Sequence, residues 1–240
     1  VTRLVPGILV AAALCAVPAT AGAEPLLPLT CLLTPLRTSD IGSDRTGIVS
    51  TVEVGRADLV AAGDPLVRID TSVNQADLEV ARIRVAALEE RLSRNEGLVD
   101  RSLISLDEIG QLRADLALAR AEEARARMEI ERATIRAPFA GYVTRVNVAP
   151  GELIGAEPLL QLIEVQRLRA EIVYRAEAYG EITVGQKVPL RVELSGADVE
   201  AVVTAIDPFI DAASDTFTVI AEIENPGLLL PSGTSCLVRG

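Results

Sequence analysis

The chain of 240 residues has no histidine, no tryptophan and a single methionine. Without histidine, the commonest general base and metal ligand is missing. Three cysteines and one methionine are too few for a dedicated thiolate or thioether metal site. Catalysis would have to rest on carboxylates, arginines and hydroxyls, and no constellation of these stands out, so neither an enzyme nor a bound cofactor is expected. Positive charge is also scarce, with a formal net charge of −11. Such a chain is a poor partner for nucleic acid, because nothing would displace counterions from phosphates.

What is present begins at the N-terminus. Arg3 precedes the apolar run LVPGILVAAALCAV, which ends in PATAGAE with small Ala21 and Ala23. A basic start, a short apolar stretch and a small-residue cleavage site read as a signal peptide over residues 1–23. The run is short for a membrane span. A lipoprotein reading through Cys15 is weakened by bulky Leu14. Export is therefore expected, with the initial valine as an alternative start. Cys15 leaves with the signal, and Cys31 and Cys236 remain near the two ends of the mature chain. In an oxidising compartment they form a disulfide or stay as two separate buried thiols, and spacing leaves both open.

The middle of the chain contains a repeat. Gly47, Val49, Val52, Val54 and Leu59 match Gly141, Val143, Val146, Val148 and Leu153 at a constant offset of 94 residues. After one slipped residue, Pro65, Leu66 and Ile69 match Pro158, Leu159 and Leu162. Each half alternates apolar and polar residues between tight turns, the pattern of short half-buried strands. Two such halves can cover one another's apolar faces as a small sandwich.

Between the halves lie two helical patterns, Ser72 to Val99 and Leu106 to Ala133. Leu78, Val85, Leu92 and Val99 recur every seven residues, with Ala81, Leu88 and Asn95 interleaved. Ile109, Leu116, Glu123 and Ile130 do the same beside Leu112, Ala119, Ala126 and Ala133. This is coiled-coil spacing. Folding the chain back near Arg101–Ser102 pairs Leu88 with Leu116, Leu92 with Leu112, Asn95 with Ile109, Val85 with Ala119 and Leu78 with Ala126. An antiparallel hairpin follows, each arm reaching roughly 40 Å at 1.5 Å per residue. Glu123 breaks the pattern beside Arg82 and is expected in an ion pair at the edge of the seam. At the bend, Ser105 with Glu108 three residues on reads as a capping box for the second helix. Leu98 lies one turn beyond Arg94 on the same flank, either widening the core or awaiting a partner.

The paired β halves resemble the biotinyl/lipoyl carrier fold, but the only lysine, Lys187, lies outside the repeat, so nothing at the junction could carry the acyl group. Interrupted lipoyl-like halves with a tip hairpin resemble the periplasmic adaptor, or membrane fusion protein, family (HlyD/RND type) of tripartite efflux pumps. Members that dock TolC-like channels share a tip pattern of Arg, three residues, Leu, six residues, Ser, matched here by Arg94, Leu98 and Ser105. ATIRAPFAGYV (133–143) is similarly typical, with Pro138 read as ending the second helix and Gly141 as opening the strand.

From Leu168 onward, LRAEIVYR, KVPLRVEL, VEAVVTAID, TFTVIAEIE and TSCLVR return to strand spacing, with turns at Gly185, Gly196, Gly227 and Gly233. AEAYGEI suits one short helix. The order is similar to the family's β-barrel.

The resemblance implies a mixed, multi-domain, elongated architecture: an antiparallel α-helical coiled-coil hairpin inserted in a split lipoyl-like β-sandwich, followed by a small antiparallel β-barrel. The corresponding segments are the signal peptide 1–23, an N-terminal segment or barrel edge strand 24–46, the lipoyl-like domain 47–70 plus 134–166, the hairpin 71–133 and the barrel 167–240. It further implies a periplasmic adaptor at the inner-membrane face that bridges an inner-membrane transporter of RND type to a TolC-like outer-membrane channel as a homo-oligomeric ring, a hexamer in the family. Arg94, Leu98 and Ser105 would be the channel-docking tip. Pairing of the N-terminal segment with the last strand would favour a Cys31–Cys236 disulfide. RND-type adaptors normally continue into a membrane-proximal domain, whereas this sequence ends at Gly240 with the barrel pattern. An ABC-type exporter or type I secretion system is the alternative partner, and a biotinyl/lipoyl carrier the remote one. Adaptors for copper or silver carry methionine or histidine ligands in their N-terminal part, which this chain lacks.

Overall fold

The computed structural model describes residues 27–99 and 105–239; the side chains of 97–99 lie outside that description, as does the expected signal peptide. β1 (Thr30–Ile41) opens the described chain and runs through two modules in succession. The repeat then supplies β2 (Gly47–Val52), β3 (Leu59–Val60) and β4 (Pro65–Ile69). The hairpin follows as α1 (Ser72–Val99) and α2 (Leu106–Glu131). The second half returns as β5 (Thr134–Arg136), β6 (Gly141–Val146), β7 (Leu153–Ile154) and β8 (Leu160–Arg175).

The repeat seen in the sequence is a repeat of pairing. In the first half Val49 faces Ile69 and Val52 faces Val67; in the second Val143 faces Leu162 and Val146 faces Leu160. Both ladders slip at the same place, between Val49 and Thr51 and between Val143 and Arg145. The short strands are exchanged between the halves. β2 pairs with β7 through Gly47 and Ile154, and β6 pairs with β3 through Gly141 and Val60. The tight turns cross over in the same way. Ala57 N–H donates to Val143 O, while Gly151 N–H donates to Val49 O, both at 2.8 Å. Each half is thus completed by the other, and neither could bury its apolar face alone. Val49, Leu66, Val67, Val143, Leu160 and Leu162 form the sealed centre of the sandwich.

Six strands close the second module. Following β8 come β9 (Lys187–Val192), β10 (Asp198–Ile206), β11 (Thr216–Glu224) and β12 (Thr234–Val238). The order β1-β12-β9-β10-β11-β8 returns to β1 through the β1–β8 pairing, so the sheet closes into a barrel and leaves no free edge there. Inward positions alternate as a strand requires, with Leu168, Ala170, Ile172 and Tyr174 on β8 and Phe217, Val219, Ala221 and Ile223 on β11. The turns at Gly185, Gly196, Gly227 and Gly233 all have positive φ, between 67° and 87°. AEAYGEI yields a single 3₁₀ turn, Ala176–Ala178. β8 is continuous for 16 residues. Its first part pairs with β6 in the sandwich and its second with β11 in the barrel.

One expectation is corrected. The second helix stops at Glu131, not Ala133, and Pro138 does not end it. Thr134–Arg136 instead form β5, pairing Ile135 with Val67 and Arg68 with Thr134. A β-branched pair gains more from a place on the sandwich sheet than from one further helical turn. Pro138 follows beyond that strand.

Candidate functional site

The hairpin seam is built from the heptad positions. Val85, Leu116 and Ala119 are buried together, with Leu88 and Leu92 packed against them. Ile109 and Leu112, nearer the bend, are each only 3% exposed. Arginine–glutamate pairs flank this narrow core. Arg84 Nη1 meets Glu122 Oε2 at 2.7 Å, Arg113 Nη2 meets Glu96 Oε1 at 2.8 Å, and Arg120 Nη2 meets Glu89 Oε1 at 2.7 Å. Exposed pairs of this kind contribute well under about 1 kcal/mol each, so their main effect is to fix register. Glu123, the charged interruption of the seam, lies between Arg127 at 2.9 Å and Arg82 at 3.8 Å. Its carboxylate is thereby neutralised where an unpaired charge would be costly.

At the bend, Ser105 is the N-cap of α2, with φ −78° and ψ 152°. Its Oγ accepts the Glu108 backbone N–H at 3.1 Å, and Asp107 and Glu108 place negative charge at the positive end of the helix. Arg94 is exposed and pairs with Glu90 one turn back. Arg94 and Ser105 share no hydrogen bond. Leu98 belongs to α1, and its side chain lies outside the described residues.

Sequence reasoning missed a second feature of the hairpin. Each helix carries apolar residues on the side away from the seam. On α1 these are Val73, Val80 and Ile83, exposed by 72%, 68% and 61%, with Ala76 and Ala87 between and beyond them. On α2 they are Leu118 and Met128, exposed by 56% and 53%, with Ala114, Ala121 and Ala124 alongside. The signal was present as a second apolar periodicity, overlooked because many of its members are alanine.

At the barrel, the structure joins Cys31 and Cys236 in a disulfide with Cα atoms 4.9 Å apart and both residues buried. The register Leu32 to Ser235 between β1 and β12 brings the two cysteines opposite one another. Among the described residues no group of three His, Cys, Asp or Glu could hold a metal ion, and no helix is long and apolar enough to cross a membrane. The only lysine, Lys187, lies on β9 of the barrel and pairs with Glu200 at 2.7 Å.

Comparison with known proteins agrees with this architecture. A family model described as the barrel-sandwich hybrid domain of RND MFP, the membrane fusion proteins, matches residues 37–166. Nodulation protein NolF of Rhizobium meliloti is 28% identical over 217 residues, covering 84% of this chain and 59% of its own length. The chain spans 53–59% of the length of the curated relatives it matches. Among solved structures, a MacA-MexA chimera containing the Pseudomonas aeruginosa MexA α-hairpin domain superposes with a TM-score of 0.76 at 20% identity, covering 89% of this chain and 80% of the other. The membrane fusion protein Spr0693 of Streptococcus pneumoniae R6 does so with a TM-score of 0.72 at 17% identity, covering 88% and 97%. With the hairpin-split sandwich and the closed barrel, the family match over more than half of its length shows that this chain belongs to the RND-type membrane fusion protein family.

Proposed function

We propose that the protein is a periplasmic adaptor of a tripartite efflux pump, bridging an inner-membrane transporter of RND type to a TolC-like outer-membrane channel. Membrane fusion proteins are non-catalytic scaffolds of efflux assemblies, and this chain carries their barrel-sandwich hybrid domain. The observation that carries the reading is the hairpin itself. A two-helix rod about 40 Å long costs a great deal of ordering for no enclosed chemistry, and it holds its bend far from the sandwich that it divides. Such a rod suits contact at its far end. Leu98 is the apolar anchor for grooves between channel helices, exposed Arg94 the polar clamp, and Ser105 the cap that holds the start of α2.

The outer apolar stripes support assembly into a ring, a hexamer by family resemblance. A stripe on each edge of the hairpin lets α1 of one copy pack on α2 of the next, and a head-to-tail contact of that kind closes into a ring when its rotation allows. The barrel would face the transporter.

The test is Leu98→Asp in the intact assembly. Co-purification with the outer-membrane channel and efflux should both be lost, while helical content and expression stay as in the parent. A variant that still captures the channel and still supports efflux would refute docking through the tip.

A further inference from the structure

We propose that Arg45 fixes the direction in which the hairpin leaves the sandwich. The hairpin is tied covalently at two points only, Asp70–Ser72 and Arg132–Thr134. These points are neighbours, because Arg68 pairs with Thr134 and Ile69 N–H donates to Ala133 O at 2.8 Å. Two links on adjacent strands, about 5 Å apart, make a short base for a rod about 40 Å long. A tilt of about 10° there would carry the bend roughly 7 Å sideways at that length. Something off the line between the two links must therefore hold the angle.

The connection between β1 and β2 supplies it. Arg45 Nη1 donates to the Glu129 backbone O at 2.9 Å, and Nη2 donates to Glu129 Oε2 at 3.1 Å. The Glu129 carbonyl lies in the last turn of α2, where carbonyls lack partners within the helix; the nearby Arg132 and Ala133 N–H groups bond to Met128 O and Ile130 O instead. That last turn contains no basic residue of its own. Arg45 thus brings from outside the cation that the negative end of the helix favours.

The arginine is itself held. Its side chain is only 19% exposed, and its Nε is buried 3.6 Å from Asp44 Oδ1 without a hydrogen bond. Ser43 Oγ accepts the Arg45 N–H at 3.1 Å and donates to the Arg45 O at 2.8 Å, which fixes the loop. Asp44 also reaches Arg132, just beyond α2, at 3.9 Å.

The repeat gives an independent reason to single out this position. Arg45 stands two residues before Gly47, and Phe139 stands two residues before Gly141. Phe139 lies beneath the Arg37 guanidinium, 4.6 Å from its centre, while Arg37 Nε donates to the buried Glu164. Equivalent places in the two halves thus grip the two appendages, Arg45 the hairpin and Phe139 the β1–β8 strands that lead to the barrel. The proposal concerns the protein alone and holds whatever partner meets the bend.

The test is a distance measurement by electron spin resonance on the full chain, with nitroxides on Ser93→Cys and Arg56→Cys in a Cys15→Ser background and the native disulfide left oxidised. The parent should give one narrow distance peak. Arg45→Ala should lose that peak to a broad distribution while helical content is retained, and Arg45→Lys should recover part of it. Glu129→Ala keeps the carbonyl acceptor and should stay closer to the parent than Arg45→Ala does. If Arg45→Ala does not fold, Glu129→Arg, which sets like charge against Arg45 on the helix surface, should broaden the peak instead. A peak of parental width and position in the folded variant overturns the proposal.

Discussion

Gly47 and Gly141 occupy equivalent places in the repeat, yet the structure assigns very different costs to placing a methyl group on each. A Cβ on Gly47 would meet the Cγ2 of Ile69 at 2.5 Å, the end of a side chain that can turn aside. A Cβ on Gly141 would run into the carbonyl oxygen of Ile163, with the carbonyl carbon behind it at 2.9 Å. That is backbone of β8, tied into the sheet by pairing with β6, and cannot yield without breaking the ladder. Overpacking against a side chain costs about 1–2 kcal/mol, and against fixed backbone more than about 3 kcal/mol. At roughly 2–4 °C per kcal/mol for a chain of this size, Gly47→Ala should lower the melting temperature by about 2–8 °C. Gly141→Ala should lower it by more than about 6–12 °C or prevent folding. Both glycines begin a strand, so the entropy gained on replacing glycine is common to the two, and their difference isolates the clash. Calorimetry of the two variants side by side is the assay. Equal melting temperatures, or a larger fall for Gly47→Ala, would refute the reasoning.

Reduction of the Cys31–Cys236 bridge reopens a span of 205 residues and should destabilise the protein by about 5 kcal/mol in the chain-entropy account, seen as a lower melting temperature under reductant and two newly reactive thiols by mass spectrometry; Cys236→Ser should lower the melting temperature likewise and free one thiol, that of Cys31. In the hairpin, Leu116→Ala empties the seam and should cost about 2–5 kcal/mol, whereas Leu118→Glu on the outer stripe should leave stability within about 0.5 kcal/mol but weaken self-assembly in sedimentation. Asn225 is 2% exposed; it donates to Val165 O and Leu230 O and accepts the Leu230 N–H. Asn225→Ala should therefore cost about 2–4 kcal/mol in urea unfolding, most of it from backbone groups left unpaired.

The sequence made different parts of this structure readable for different reasons. The seam was legible because residues such as Leu88 and Leu116 recur at a spacing that only one register satisfies, and the two cores they belong to are the same. The sandwich was legible because its 94-residue offset repeats apolar residues and turns together. The exchange of β3 and β7 between the halves was not, since two-residue strands carry too little periodicity to declare a partner. The end of α2 was misplaced because Ile130, Ala133 and their neighbours continue the helical period, while pairing of Ile135 with Val67 depends on a strand 68 residues away. Arg45 gave no signal at all. A lone arginine in a polar loop looks like any solvated charge until α2 is seen to end beside it.

Because the two crossings between rod and sandwich lie next to one another, the base of the hairpin does not depend on how long its arms are. Adding seven residues to each arm would extend the reach by about 10 Å and leave every strand in the sandwich where it is. The protein therefore behaves as a mount for an interchangeable gauge, in which distance to a partner is adjusted by paired insertions while the seating of the mount is inherited unchanged.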